Sequence, residues 1–414
     1  MVEFDQTRID RSSPMEKGRE SPRGLLLGAW LLAVCGSAYL IAPAGILPVL
    51  TAELAIGAAA ASWIVSVPYA AEAVVGLPAG RVLDRFDAGR VVTAAVVGLL
   101  VAIVWGWFAG GEGDYASFLA SRFLGGMAFA ALWIASIDLV GRSVDPRNEA
   151  TALGFYTTSG PVGLALGLAL APVVASRVGW LATFPVQGCL LTLSFVAFAL
   201  VGGTADPPSN DARSGPTVGA LADVLGNRRV WSVAAMAFVA YSLLLLFSGW
   251  MPSYLATTSD LSLEEGGLLV ALVPALGVLS RSGGGLVSDR LMERRRRPIA
   301  RASFLVVAPA TAALLAVNDA VLIVILLVLV GFFVQFGIGV FFSYARDLVP
   351  DAVGGTTVAF VSTVGILGSF TAPIVAGTLI EDTGAFDAVF GYAALLAVVG
   401  LAFAWIAPEP RDAG

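Results

Sequence analysis

The sequence lacks histidine entirely, and it contains a single lysine, Lys17, and two cysteines among its 414 residues. Without histidine there are no imidazole metal ligands, general bases or proton relays, so any proton-coupled step must use a carboxylate. Cys35 and Cys189 both lie in apolar segments, which gives no support for a disulfide framework. The chain therefore lacks the residues that most metal and redox chemistry requires.

Motifs of soluble enzymes are missing as well. The sequence has no Gly-x-x-x-x-Gly-Lys-Ser/Thr phosphate loop, so ATP has no binding motif through which to drive this chain. Zinc-ligand spacing and a credible nucleophile–base pair are also absent. We therefore expect no enzymatic activity, no cofactor, no metal and no nucleic-acid partner.

Charge is scarce along the whole chain. Charged residues make up 13% of it and hydrophobic residues 57%, whereas a soluble domain is about 25% charged. Apolar runs of about 20 residues, long enough to cross about 30 Å of hydrocarbon, recur throughout. We predict an all-α integral membrane protein whose surroundings are the lipid bilayer. Its twelve predicted spans are 25–47, 61–82, 90–110, 116–140, 150–172, 181–202, 231–256, 265–287, 301–317, 320–345, 355–377 and 385–407.

The positions of arginine predict the orientation, because cytoplasmic loops carry the basic excess. If the N-terminus is inside, nearly all basic residues fall on the cytoplasmic side. They include Arg81, Arg85 and Arg90 at the turn between spans two and three, Arg228 and Arg229 in the central linker, and Arg290 and Arg294 to Arg297 at the turn between spans eight and nine. This pattern predicts a multi-pass protein of the cell membrane with both termini in the cytoplasm.

The sequence repeats itself at a fixed offset of 205 residues. The matching pairs are Gly80 and Gly285, Asp84 and Asp289, Arg85 and Arg290, Phe155 and Phe360, Thr158 and Thr363, Gly160 and Gly365, and Gly163 and Gly368. A polar linker at 203–229 separates a six-span bundle at 24–202 from a second bundle at 230–407, and short tails occupy 1–23 and 408–414. Because six is even, the two halves share one orientation and form a parallel repeat about an axis along the membrane normal.

Several motifs in these halves resemble those of the major facilitator superfamily, and the resemblance covers the whole chain. They are Gly80-x-x-x-Asp84-Arg85 with Gly89-Arg90, Gly285-x-x-x-Asp289-Arg290, Arg122-x-x-Gly125-Gly126, and Gly160-Pro161-x-Gly163-x-x-x-Gly167. The resemblance implies a transporter whose two bundles rock about a site between them. Both charged loops depart from the family pattern, the first by two extra residues and the second by loss of its turn glycine. We expect a monomer.

The charged loops are candidates for a gate. The resemblance implies that Asp84 and Arg85, with Gly80 and Arg90, hold one state of the transporter through a network that includes Asp138 at the inner end of span four. The second copy would consist of Gly285, Asp289 and Arg290, with Asp347 as a further member. The alternative is a charged turn that only sets the topology.

Two charges are predicted near mid-membrane, where ionisable groups are costly and therefore candidates for function. At about 1.5 Å per residue, Glu72 and Arg281 lie about 18 and 12 Å from the cytoplasmic boundary, on similar faces of repeat-related helices. One hypothesis gives Arg281 an anionic substrate group and makes Glu72 the protonatable coupling group. The alternative is a Glu72–Arg281 salt bridge that only fixes packing.

The segment around Arg281 also resembles span eight of the nitrate/nitrite porters within the superfamily. In those porters an arginine at this spacing meets the anion. Their second arginine, in span two, is absent here, because the equivalent residue is Gly76. The resemblance therefore favours a small anion other than nitrate.

The remaining candidates have weaker support. Arg122 would assist proton transfer, as the superfamily resemblance implies, or else pair with a main-chain carbonyl, while Asp138 is interpreted as structural. Because the resemblance implies a cavity lined by helices one, four, seven and ten, candidate walls are Tyr39, Trp133, Tyr241 and Gln335. Gly160, Pro161, Gly163, Gly167, Gly365 and Gly368 form a small-residue packing seam, whereas the partial likeness to an antiporter motif leaves antiport and symport open.

The sequence therefore predicts a secondary active transporter driven by an ion gradient, with the proton as the expected coupling ion and a small organic or inorganic anion as substrate. Efflux of amphipathic drugs is the alternative within transport. A transporter-like sensor that moves no solute is the alternative from another class, and the two charged loops argue against it.

Overall fold

The computed structural model describes residues 22–76, 86–145, 147–202 and 218–409, and all regular structure within these ranges is helical. In chain order the helices of the first half are α1 (Pro22–Gly45), α2 (Leu47–Glu53), α3 (Ala58–Gly76), α4 (Ala88–Glu112), α5 (Tyr115–Ser143), α6 (Glu149–Thr157), α7 (Ser159–Val178) and α8 (Thr183–Leu200). They are followed by α9 (Val218–Gly226), α10 (Arg228–Thr258), α11 (Leu263–Ala275), α12 (Gly277–Leu286), α13 (Arg297–Ala313), α14 (Ala320–Asp347), α15 (Asp351–Thr383) and α16 (Asp387–Ile406).

Eleven segments of the described chain are long and apolar enough to cross a bilayer, so the chain is a multi-span membrane protein. They correspond to every predicted span except the ninth. That span, predicted at 301–317, falls on α13, which is only 17 residues long. Because Arg297 and Arg301 lie in its first turns, its apolar stretch is shorter than the roughly 20 residues that a crossing requires.

Two predicted spans are interrupted helices. The fifth, predicted at 150–172, consists of α6 and α7, which meet at Thr158 and extend to Val178. The eighth, predicted at 265–287, consists of α11 and α12, followed by a π-helical turn at Val287–Leu291. Pro274 precedes the break between α11 and α12, and a proline both lacks the N–H and crowds the preceding turn. Arg281 lies in α12, just after this break, so the direction in which α12 leaves the break sets the position of Arg281.

Small residues bring helices of each half together in the same way. A Cβ at Gly163 of α7 would lie 2.5 Å from Cβ of Ser37 on α1. In the second half, a Cβ at Gly368 of α15 would lie 2.7 Å from Oγ of Ser242 on α10. Both residues of the second contact are offset by 205 from those of the first. The sequence repeat is therefore also a repeat of packing contacts.

The two halves meet through a second pair of equivalent contacts. A Cβ at Gly377 of α15 would lie 2.7 Å from Cβ of Ser62 on α3, and a Cβ at Gly267 of α11 would lie 2.7 Å from Cγ of Pro172 on α7. The offset of 205 relates these contacts too. We call this side of the molecule the closed face, and the helix ends that mark it are Ala58, Val178, Leu263 and Thr383.

We predict that Gly163→Val destabilises the folded protein by about 1–3 kcal/mol, the usual cost of an overpacked contact. The added side chain would collide with α1, because even the Cβ lies 2.5 Å from Ser37. Thermal unfolding in detergent measures the effect. Gly391→Val is the matched control, since a Cβ at Gly391 meets nothing within 4 Å. Equal loss of stability in both variants would contradict the prediction.

Candidate functional site

Glu72 and Arg281 lie in one region between the two halves of the chain. Glu72 is on α3, Arg281 is on α12, and both are partly buried. Tyr241 of α10 is close enough to interact electrostatically with both charges. Within the described residues, neither charge forms a salt bridge with the other. The region therefore holds one positive and one negative charge that do not neutralise each other directly.

This region is separated from the closed face. Glu72 lies ten residues beyond Ser62 along the chain, which corresponds to about 15 Å of helix, and Arg281 lies fourteen residues beyond Gly267, which corresponds to about 21 Å. At the closed face the helices of the two halves touch at Ser62 and Gly267. Glu72 and Arg281 nevertheless remain partly exposed.

Gln335 of α14 fixes the position of Arg281. Its Oε1 accepts a 3.2 Å hydrogen bond from Nε of Arg281, and its Nε2 donates a 2.8 Å bond to the carbonyl of Val273 beside the helix break. Gly277 makes room for this amide, because a Cβ there would collide with the Gln335 side chain. Gln335 was expected to line the cavity, but it is 0% exposed. Its role in the structure is to position Arg281.

The remaining donors of Arg281 determine what the site can bind. Only Nε of its guanidinium makes a hydrogen bond in the described structure, so the N–H groups of Nη1 and Nη2 have no acceptor among the described residues. Two parallel N–H donors on a permanently charged plane match the oxygens of a carboxylate or another oxyanion. Arg281 is therefore suited to bind an anion through its two terminal nitrogens.

Arg122 contrasts with Arg281, because each of its three guanidinium nitrogens donates to a main-chain carbonyl. The side chain is 1% exposed. Nε donates to the carbonyl of Ile64 at 3.3 Å, Nη1 donates to the carbonyl of Tyr39 at 3.0 Å, and Nη2 donates to the carbonyl of Leu40. The guanidinium also lies 4.5 Å from the centre of the Tyr39 ring. Of the two expectations for Arg122, the structure shows the pairing with carbonyls.

Two prolines explain why the carbonyls of Tyr39 and Ile64 are available. Pro43 lies four residues after Tyr39 in α1, and Pro68 lies four residues after Ile64 in α3. Each proline lacks the N–H that would close the helical hydrogen bond to that carbonyl. Arg122 supplies both missing donors from α5 and so ties three helices together.

The aromatic candidates occupy different environments. Tyr39 is 2% exposed and packs under Arg122. Trp133 is partly buried, and its ring lies 5.1 Å from that of Tyr156. Gly160 lies beside Trp133, and its repeat partner Gly365 lies beside the ring of Tyr241. Of the candidate wall residues, Tyr241 is the one with an electrostatic link to both central charges.

The packing seam contains the remaining small residues. A Cβ at Gly167 would lie 2.5 Å from the Ala38 carbonyl, so this glycine extends the contact between α7 and α1. Pro161 is buried in the first turn of α7, where a missing N–H costs little. The structure places these residues at a helix-to-helix contact.

The first copy of the predicted gate is only partly described. Gly80, Asp84 and Arg85 lie outside the described residues. Arg90 pairs with Asp87 at 3.0 Å within its own helix turn, and its side chain is 79% exposed. Asp138 pairs with Arg142 at 2.8 Å, one turn further along α5.

The second copy forms a network that bridges helices. Nη1 of Arg296 meets Asp289 at 2.6 Å, and its Nε meets Asp347 at 3.0 Å. Glu409 adds a third carboxylate, which accepts a 2.9 Å bond from the main-chain N–H of Arg296. Burial alone lowers the pKa of Arg296, but its hydrogen bonds to the two aspartates outweigh burial and raise that pKa above its ordinary value. The guanidinium therefore stays charged between them.

The sequence did not identify the arginine that joins this network. Arg290 was expected to do so, but it is exposed, and Gly285 makes no close contact. Arg296 is 8% exposed, whereas its neighbours Arg294 and Arg295 are exposed. Nothing in a run of four arginines shows which one turns inward, because that depends on the backbone of the loop.

Comparisons with known proteins agree with this architecture. The family model described as Major Facilitator Superfamily matches residues 26–365 and 284–414. A solved structure of a bacterial homolog to the human lysosomal transporter Spinster, in an inward-facing and unoccupied conformation, superposes with a TM-score of 0.77. The match covers 96% of this chain and 98% of that chain at 15% identity, so it concerns the fold.

Curated relatives are named as transporters of anions. A hexuronate transporter of Bacillus subtilis is 25% identical over 77% of this chain and 78% of its own length. A probable sulfoacetate transporter of Cupriavidus necator is 26% identical, with coverage of 82% and 83%. A probable nitrate/nitrite transporter of Mycobacterium tuberculosis is 23% identical, with coverage of 87% and 89%.

We predict that Arg122→Lys destabilises the protein by about 2–4 kcal/mol, because a lysine keeps the charge but leaves released carbonyls unpaired in a buried site. Thermal unfolding in detergent is the measurement. Arg90→Lys is the control, since Arg90 is exposed and makes only a local ion pair. Unchanged stability of Arg122→Lys would mean that the carbonyls need no guanidinium.

Proposed function

The chain belongs to the Major Facilitator Superfamily, and we propose that it is a secondary active transporter that moves a small anion by alternating access. The observation that carries this proposal is the guanidinium of Arg281, held by Gln335 and left with two unpaired donor nitrogens between the halves. The fold and the relatives are those of transporters, which agrees with the expectation that the chain is not an enzyme.

We propose a topology of twelve spans with both termini in the cytoplasm of a cell that carries the protein in its plasma membrane. In this arrangement α13 is the ninth span, and its arginines remain at the cytoplasmic boundary. Residues 24–202 and 230–407 form the two six-helix bundles, and 203–229 links them. The closed face is then extracellular, and the protein works as a monomer with its site open to the cytoplasm.

A count of cations supports Arg281 as the binding residue. Within the candidate spans of the described chain, Arg122 and Arg281 are the arginines that lie outside the first and last turns of a span. All three nitrogens of Arg122 donate to carbonyls, and its side chain is 1% exposed, so it is not presented to a ligand. The names of the relatives, which include hexuronate, sulfoacetate and nitrate or nitrite transporters, point to anionic substrates as well.

Glu72 supplies the coupling in this proposal. A carboxylate close to the anion site opposes anion binding while it is ionised and stops opposing it when it is protonated. Binding of a proton and binding of the anion then favour each other, which is the requirement for symport. The chain has no histidine, so Glu72 is the titratable group available for this role in the described region.

Efflux of amphipathic cations is the second candidate, and one observation favours it. Glu72 forms no ion pair in the described structure, so it could attract a cation. The candidates differ in which side chain binds the solute. Proteoliposomes that are offered small carboxylates and oxyanions in one panel and lipophilic cations in another distinguish them.

We predict that Arg281→Gln reduces uptake of the transported anion at low substrate concentration by about 10- to 100-fold, because charge-assisted hydrogen bonds to the substrate are lost. Radiolabelled uptake into proteoliposomes is the measurement, with the amount of inserted protein determined in parallel. Arg228→Gln is the control, because Arg228 is exposed at the first residue of α10. Wild-type uptake by the Arg281 variant would refute the assignment.

We also predict that Glu72→Gln abolishes accumulation driven by a proton gradient but retains exchange of labelled for unlabelled anion. The amide fixes a neutral state, so the site still binds the anion without sensing the proton. Substrate-induced proton flux and exchange are measured in the same vesicles. Proton-driven accumulation that persists in the variant would exclude Glu72 as the coupling group.

A further inference from the structure

The closed face contains two carboxylates that each reach across from one half of the chain to the other. Glu381, in the last turn of α15, accepts a 2.8 Å hydrogen bond from the main-chain N–H of Ala59 in α3. Glu264, in the first turn of α11, accepts a hydrogen bond from the hydroxyl of Ser176 in α7. Glu264 also lies 3.8 Å from Arg177. These contacts join the same helix pairs that meet at Gly377 and Gly267.

The two contacts are equivalent positions of the repeat. An offset of 205 converts Ala59 to Glu264 and Ser176 to Glu381. The repeat relates α3 to α11 and α7 to α15. In both pairs the carboxylate nevertheless belongs to the helix of the second half, which is α15 in one pair and α11 in the other. A chance surface contact would have no reason to occur twice at matched positions.

The contact of Glu381 replaces a helix cap. Gly57 lies at the N-cap position of α3, since its carbonyl accepts the bond from the N–H of Ala61, and glycine has no side chain with which to cap a helix. Glu381 meets the free N–H of Ala59 instead, at the positive end of the helix. The repeat equivalent of Gly57 is Ser262, which caps α11 itself together with Glu265. The first half thus lacks a local cap where the second half has one.

We infer that Glu381 and Glu264 are positioning residues of the transport cycle, which stabilise the state with this face closed. This inference rests on the proposed alternating access, because both hydrogen bonds must break when the halves separate at this face. Loss of either carboxylate then favours opening of the closed face without altering the Glu72–Arg281 region. Gly57 belongs to the same device, because a Cβ there would collide with the carboxylate of Glu381.

Accessibility of a single cysteine tests the inference. The reporter is Ser62→Cys in a chain that also carries Cys35→Ser and Cys189→Ser, because Ser62 is 0% exposed while the face is closed. A membrane-impermeant maleimide is added to sealed vesicles on the side of the closed face. The labelling rate then reports the fraction of molecules in which this face is open, and no substrate is needed.

We expect Glu381→Ala and Glu264→Ala each to raise the labelling rate about 2- to 5-fold, in keeping with a helix cap that is partly exposed to water. Gly57→Ser should raise it as well, because the serine both displaces Glu381 and supplies a local cap. Asp382→Ala is the matched control, since this exposed acid adjoins Glu381 and makes no contact within the described structure that would hold the halves together.

The outcomes separate this inference from the proposed function. Unchanged labelling in Glu381→Ala, Glu264→Ala and Gly57→Ser, or an equal increase in Asp382→Ala, overturns the role of the carboxylates even if anion uptake is normal. Increased labelling in the three variants supports it, even if the transported solute proves not to be an anion. Monodisperse elution and the unfolding temperature of each variant confirm that folded protein is compared, and Gly57→Ser tests the contact without removing a carboxylate.

Discussion

The interior of a bilayer offers no hydrogen-bond partner to a helix, so every carbonyl that a proline releases must be satisfied within the protein. Pro43 and Pro68 release carbonyls in α1 and α3, and Arg122 satisfies both from α5. A charged side chain is costly at this depth, but here each guanidinium nitrogen donates to a carbonyl and the guanidinium lies over the ring of Tyr39. The first half is held together around this residue.

In the second half, a neutral side chain, Gln335, bonds to the main-chain carbonyl near the helix break. Arg281 therefore does not have to satisfy that carbonyl, and this difference from the first half distinguishes the candidate site. Gln335 bonds to the main chain beside the break in α11 and α12 and uses its remaining oxygen to hold Nε of Arg281. Arg122 therefore binds main-chain carbonyls and joins helices, whereas the terminal nitrogens of Arg281 have no acceptor among the described residues. Relatives that are named for different anions are 23–26% identical to this chain.

The repeat explains why opposite ends of the molecule carry different kinds of contact. At the closed face, small residues and two carboxylates join the halves at equivalent positions. At the other end, Asp289, Arg296 and Asp347 form a network within the second half. In the proposed alternating access, contacts between halves break and re-form, whereas contacts within a half persist. The exposed hydrogen bonds of the closed face are suited to breaking and re-forming, because each contributes little free energy to the contact between the halves and can be replaced by a hydrogen bond to water.

The sequence alone determined the membrane class, the two-fold repeat and the family, because hydrophobic length, offset identities and loop motifs are local properties of the chain. It also singled out Arg281 and Glu72, since charge inside an apolar run is visible without a structure. It missed the length of α13, the inward turn of Arg296, the burial of Gln335 and the reach of Glu381 to α3. Each of these depends on which surfaces of two distant segments meet. Only the tertiary structure decided that Arg122 is satisfied by carbonyls while Arg281 keeps its donors free, because hydrogen bonds between helices are set by packing and not by spacing along the chain.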